Sequence, residues 1–133
     1  MNKYIVIIAL AMLAFFATNF TAEVTPKVNK NIDYKNTKKA YFAGGCFWGV
    51  EHHLEAKAGV KDVISGFMGG WVENPDYYEV VRGKTGHVET VEVVYNPEEV
   101  SFEELTKLFF EIHDPTQKDG QGPDIGPQYL SAV

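Results

Sequence analysis

The chain has 133 residues, 45% of them apolar and 23% charged, with 12 glycines and 6 prolines. This length and balance allow one modest domain and exclude a disordered chain, a collagen and a multi-pass membrane protein. Eighteen acidic residues against 12 basic ones give a formal charge of −6, so there is no basic field to attract nucleic acid, and the single cysteine excludes an intrachain disulfide and a multi-cysteine zinc site.

Lys3 precedes an apolar run from Tyr4 to Ala17. A positive start followed by a run of this length reads as a secretory signal peptide, and the run is shorter than the ~20 apolar residues that cross a bilayer. The stretch Thr18 to Ala22 supplies only a loose cleavage site. Residues 1–22 are therefore read as a signal peptide or an uncleaved N-terminal anchor. Either reading implies an exported, periplasmic or extracytoplasmic protein in an oxidising compartment. Residues 23–39 are polar, without helical or strand period, and read as a linker. The folded domain is expected over residues 40–133.

Within that domain Lys39 to Ala43 reads as a strand, broken by Gly44-Gly45. From Cys46 to Ala58 the period becomes helical, with Phe47, Val50, Leu54 and Ala58 on one face and Gly59 as a stop. Val60 to Phe67 reads as a second strand, so the three elements form a βαβ-type unit that an intervening strand can split. A glycine-rich loop from Met68 to Asp76 leads to a helical turn at Tyr77–Val81. Val88 to Tyr95 is the clearest strand, with Val91, Val93 and Tyr95 on one face. Ser101 and Glu104 form a capping box, followed by a helical face of Leu105, Leu108, Phe109 and Ile112. An irregular loop then runs from Asp114 to Tyr129, where the chain enters another strand. The pattern predicts an α+β fold: a two-layer, ferredoxin-like (split βαβ) sandwich with long loops.

Cys46 stands where a glycine pair meets a helix N-terminus. Free N–H groups and the helix dipole favour an anion there, so a thiolate is stabilised and becomes a nucleophile. A core cysteine at a tight turn is the plain alternative, and the flanking Gly-Gly and Phe-Trp weigh against it. Phe47 fits the helix core by its period, whereas Trp48 falls off that face and suits a pocket wall. His87 and Glu89 form a His-x-Glu pair without further convergent ligands, and His52-His53 point to different sides of a helix, so no metal site is expected.

Gly45-Cys46-Phe47-Trp48-Gly49-Val50-Glu51 resembles the active-site motif of the A-type peptide methionine sulfoxide reductases. The motifs Asn74-Pro75-Asp76-Tyr77, Gly83-Lys84-Thr85-Gly86-His87-Val88-Glu89, His113-Asp114-Pro115-Thr116-Gln117 and Gly122-Pro123-Asp124-Ile125-Gly126-Pro127-Gln128-Tyr129 follow in the family's order. The resemblance implies reduction of methionine S-sulfoxide, in proteins or as the free amino acid. It implies Cys46 as nucleophile, Glu89 as proton donor and Tyr77 and Tyr129 as hydrogen-bond donors to the sulfoxide oxygen. It likewise implies Phe47 and Trp48 as the pocket for the S-methyl group, and Asp124 as the acidic group orienting the substrate or supporting the site. Read without the resemblance, Glu89 fits a solvated strand residue, Tyr77 and Tyr129 fit caps on the core, and Asp124 fits a turn former.

The chemistry of such a site leaves Cys46 as a sulfenic acid. With one cysteine in the sequence, the expected reductant is an external thiol, thioredoxin or a small dithiol, with no bound cofactor and a monomeric protein. Family members continue through further strands beyond the position of Tyr129, so the resemblance also implies a C-terminally shortened chain. Two rival readings accompany the reductase: an inactive or partial fragment, and a Cys–His hydrolase that pairs Cys46 with His87 or His113.

Overall fold

A computed structural model describes residues 32–133. The predicted leader at 1–22 and most of the predicted linker lie outside these residues. Among the described residues no helix is long and apolar enough to cross a membrane.

The elements in chain order are β1 (Lys38–Gly44), α1 (Phe47–Glu55), β2 (Val60–Met68), α2 (Tyr77–Val81), β3 (Val88–Tyr95), α3 (Phe102–Ile112), β4 (Gly120–Gln121), β5 (Asp124–Ile125) and β6 (Ser131–Ala132), with a 3-10 turn at Pro127–Tyr129 before β6. The main sheet has the order β2-β3-β1-β6, and every neighbouring pair is antiparallel. β1 and β2 therefore run the same way with β3 between them. That is the split βαβ arrangement of a ferredoxin-like sheet. β4 and β5 form a separate two-residue ladder.

β1 begins two residues before the predicted boundary. Lys38 and Lys39 pair with Tyr95 and Val94 of β3, and the Lys39 ammonium sits 2.8 Å from the Glu92 carboxylate. Polar residues are carried into the strand by their partner's backbone, a tertiary effect that local composition does not display. α1 is shorter than its sequence period suggests. It ends at Glu55, and the chain tightens through turns in which Lys57 N–H donates to the Leu54 carbonyl and Val60 N–H to the Lys57 carbonyl, both 3.1 Å. Gly59, with φ of 90°, completes the reversal, and a Cβ there would stand 2.7 Å from Val100 Cγ1. The apolar period ran on to Ala58 because it cannot register this close approach.

α3 starts at Phe102 with the predicted capping box: the Ser101 hydroxyl accepts from Glu104 N–H at 3.1 Å, and the Glu104 carboxylate accepts from Ser101 N–H at 2.9 Å. α2 carries a second box, in which Asp76 and Glu79 exchange the same bonds at 2.8 and 2.9 Å. α1 and α3 cover one face of the sheet, where Phe42 of β1, Val91 and Val93 of β3, Leu54 of α1 and Leu105 and Phe109 of α3 are sealed from solvent. Each such side chain contributes on the order of 1.5–3 kcal/mol on burial. Phe109 sits at the centre of this contact, its ring centroid 5.1 Å from that of Phe42. Phe109→Ala is expected to lower the unfolding free energy by about 3–5 kcal/mol in urea denaturation, and a loss under 1 kcal/mol would show that the α3–sheet contact is not the core.

Candidate active site

β1 ends at Gly44, and the chain turns through Gly45 at φ of 90° into α1. A Cβ on Gly45 would lie 2.5 Å from the Cβ of Gln121, so this turn accepts only glycine for both conformation and space. Cys46 then occupies the N-cap of α1, half-buried, with its carbonyl accepting from Gly49 N–H at 3.1 Å. Its side chain caps nothing. The first free N–H of the helix, that of Phe47, goes instead to Glu89 Oε2 at 3.0 Å. The sequence reading gave the helix start to the thiol; the structure gives its first donor to the carboxyl.

Glu89 reaches that point by the period of two along β3. Val91, Val93 and Tyr95 face the helices, and Glu89 continues the same row to the level where α1 begins. It is only 2% exposed, which removes the solvated-residue reading. Burial raises its pKa above the ordinary 4.5; the Phe47 N–H pulls the other way, and the negative charge of Asp124 pushes it up further. The net direction favours a carboxyl that carries its proton.

Of the other predicted residues, Asp124 and Tyr129 are electrostatic neighbours of Glu89, and Tyr77 is a neighbour of Tyr129. Asp124 is half-buried on β5, in the hairpin that pairs Gln121 with Asp124. Tyr129 lies at the end of the 3-10 turn, and burial raises the pKa of its hydroxyl, with the acidic groups around it acting the same way and Gln128 opposing them. Tyr77 opens α2 and is about half-exposed. One electrostatic neighbourhood thus holds Glu89, Tyr129, Tyr77 and Asp124, drawn from four separate elements.

The apolar side of the site is a run of rings. Phe47 packs on the core and also faces Trp48 at 6.4 Å and Phe67 at 5.7 Å between centroids, and Phe67 faces Tyr77 at 6.5 Å. Trp48 is 73% exposed, a costly placement for a rigid aromatic and one that leaves its face open. Phe67 was not singled out from sequence. Its signal is the cross-strand register, which sets Phe67 opposite Glu89, and this is visible only once β2 and β3 are paired. Gln121, pressed on Gly45, was missed for the same reason.

The two histidines of the hydrolase reading do not serve the thiol. His113 has both ring nitrogens engaged, Nδ1 with the Phe109 carbonyl at 2.6 Å and Nε2 with Ser131 Oγ at 2.8 Å. His87 has its ring against Gly70, and its buried Nδ1 has no partner.

A proton shift of this direction links folding to pH. Because the folded Glu89 binds its proton more tightly than the unfolded residue, its contribution to stability is complete below about 4.5 and is lost as pH rises through the folded value. Glu89→Gln is therefore expected to gain in Tm relative to the unmodified chain as pH is raised from 4 to 8. A difference that stays constant over that range would show that the carboxyl is not held protonated by the fold.

The family model for peptide methionine sulfoxide reductase matches residues 38–133. The chain is 51% identical over 96 residues to the peptide methionine sulfoxide reductase MsrA of Geobacter metallireducens, covering 72% of this chain and 59% of that protein. It is 44% identical over 131 residues to MsrA 2 of Synechocystis, covering 95% of this chain and 61% of the relative. Among solved structures, methionine sulfoxide reductase A of Corynebacterium diphtheriae superposes with a TM-score of 0.71 at 45% identity, over 73% of this chain and 46% of that one. The reduced form of Mxr1 from Saccharomyces cerevisiae superposes with a TM-score of 0.70 at 38% identity, over 77% and 62%. The chain spans about three fifths of the length of the curated relatives it matches. With the family model matching residues 38–133 and relatives about half identical over most of the chain, the chain belongs to the peptide methionine sulfoxide reductase family.

Proposed function

We propose that this chain reduces methionine S-sulfoxide to methionine, in oxidised proteins or as the free amino acid. The observation that carries the reading is the buried Glu89 carboxyl bonded to the first N–H of the helix whose N-cap position Cys46 occupies, with burial shifting that carboxyl toward its protonated form. The Cys46 thiolate attacks the sulfoxide sulfur. Glu89 gives its proton to the sulfoxide oxygen, and the Tyr77 and Tyr129 hydroxyls donate hydrogen bonds to that oxygen. Phe47 and Trp48 receive the S-methyl group, and Asp124 keeps Glu89 charged with its proton by disfavouring a second negative charge nearby. Methionine leaves, the oxygen passes to Cys46 as a sulfenic acid, and the sulfur of the substrate is reduced by two electrons.

Within these 133 residues Cys46 has no second thiol to close a disulfide with. A thiol from outside these residues condenses with the sulfenic acid, releasing water, and a second thiol reduces the resulting disulfide. A thioredoxin-like protein or a small dithiol fits this role, and the protein works as an exported, monomeric repair enzyme.

Single-turnover reduction of a methionine sulfoxide peptide by the purified chain tests the proposal. Cys46→Ser is expected to form no methionine. Glu89→Gln is expected to fold and to react roughly 10²–10⁴-fold more slowly, the usual worth of a positioned general acid. Equal methionine formation by Cys46→Ser and the unmodified chain would sink the assignment of the nucleophile, and an unchanged rate in Glu89→Gln would remove the acid.

A further inference from the structure

Gly44 of β1 pairs with Ser131 of β6, and Ala43 with Ala132. The ladder ends at the Gly44–Ser131 pair, from which one strand leads through Gly45 to Cys46 and the other is reached from Tyr129 through Leu130. The proposed nucleophile and the tyrosine proposed to hold the sulfoxide oxygen thus both lie two residues from the same end of one short ladder. Their separation depends on how firmly β6 is held to β1. Two paired residues on each strand are a thin ladder.

His113 lies across this ladder. It occupies the C-cap position of α3, with its ring packed against Phe109 at 4.0 Å between centroids and tilted by 35°. Its Nδ1 is 2.6 Å from the Phe109 carbonyl, which only accepts, so Nδ1 carries the proton. In the neutral ring Nε2 is then the acceptor for the Ser131 hydroxyl at 2.8 Å. The reach is made over Gly44: a Cβ there would stand 2.7 Å from Phe109 Cε2 and 3.4 Å from His113 Cγ. The glycine before the catalytic turn is therefore a window through which α3 grips β6.

We propose that His113 is a positioning residue for the reaction read above, which sets the separation of Cys46 and Tyr129 by tying Ser131 to the end of α3 across Gly44. It touches neither substrate nor reacting atoms. The tie acts on Tyr129 through two residues of backbone, so a loose tie misplaces the hydroxyl rather than unfolding the domain.

His113→Phe keeps the ring stack on Phe109 and removes both polar bonds. Under single-turnover conditions it is expected to slow sulfoxide reduction roughly tenfold, the scale of a sub-ångström misplacement, with the thermal unfolding transition still cooperative. In a Tyr129→Phe background the same change is expected to alter the rate by less than about twofold, because the hydroxyl it positions is gone. Ser131→Ala acts in the same direction and Ser131→Thr restores the rate. Equal slowing with and without the Tyr129 hydroxyl, or an unchanged rate, overturns the proposal; if His113→Phe does not fold, a wild-type rate in Ser131→Ala does so. Amide hydrogen exchange across β6 gives a readout that does not need activity. Protection is expected to fall about tenfold in Ser131→Ala, and unchanged protection overturns the proposal whether or not the chain reduces sulfoxides. No reduction by the unmodified chain, with protection lost as expected in Ser131→Ala, refutes the functional reading and leaves the tie standing.

Discussion

The bond from Phe47 N–H to Glu89 is the constraint on which the rest depends. A carboxyl sealed from water is expensive to ionise, and a helix N-terminus without a partner is expensive to bury. Each offsets the other's cost, but only if β3 and α1 are held at one mutual position. That position is fixed by Val91 and Val93 on the strand and by Val50 and Leu54 on the helix, all buried in the same core. The core is thus what keeps the acid and the cysteine in register.

The same bond shapes the acid's chemistry in two opposed ways. Burial and Asp124 hold the proton on Glu89, while the Phe47 N–H favours the carboxylate. Burial is the larger effect, so the balance is shifted toward the protonated form. In the proposed reaction, once the proton has gone to substrate, the helix N–H receives the charge that remains. An acid held only by burial would keep its proton too well; one held only by the helix would have lost it already.

Much of the fold could be read from sequence because its signals are local. The strand Val88–Tyr95, the helical turn Tyr77–Val81 and the capping box of α3 stand where the period and the caps put them. The sheet order, with β3 between β1 and β2, is the split form that the βαβ reading allowed. Signals that arise between elements were hidden. Lys38 of β1 is strand because β3 pairs with it, and α1 stops early because Gly59 must pass Val100. The site divides the same way. Cys46 is marked by its glycines and its helix start, and Glu89 by its row on β3. Phe67 and Gln121 matter through partners far along the chain, and no spacing in the sequence announces them; His113 was visible as a motif residue, but its tie to Ser131 was not.

The loop that carries Asp124 is braced by glutamines that behave as detached peptide groups. The Gln121 amide accepts from Asp114 N–H at 3.0 Å and donates to the Asp114 carbonyl at 2.9 Å, and Gln117 does the same to Gly122 at 2.8 and 3.2 Å. Each side chain supplies one donor and one acceptor to a stretch of backbone that has no sheet neighbour there. A glutamate at either position would offer two acceptors and no donor, so the carbonyl it served would be orphaned. Spontaneous hydrolysis of one side-chain amide would thus act as a slow ageing lesion, loosening the acidic wall of the site while every proposed reacting group stayed intact.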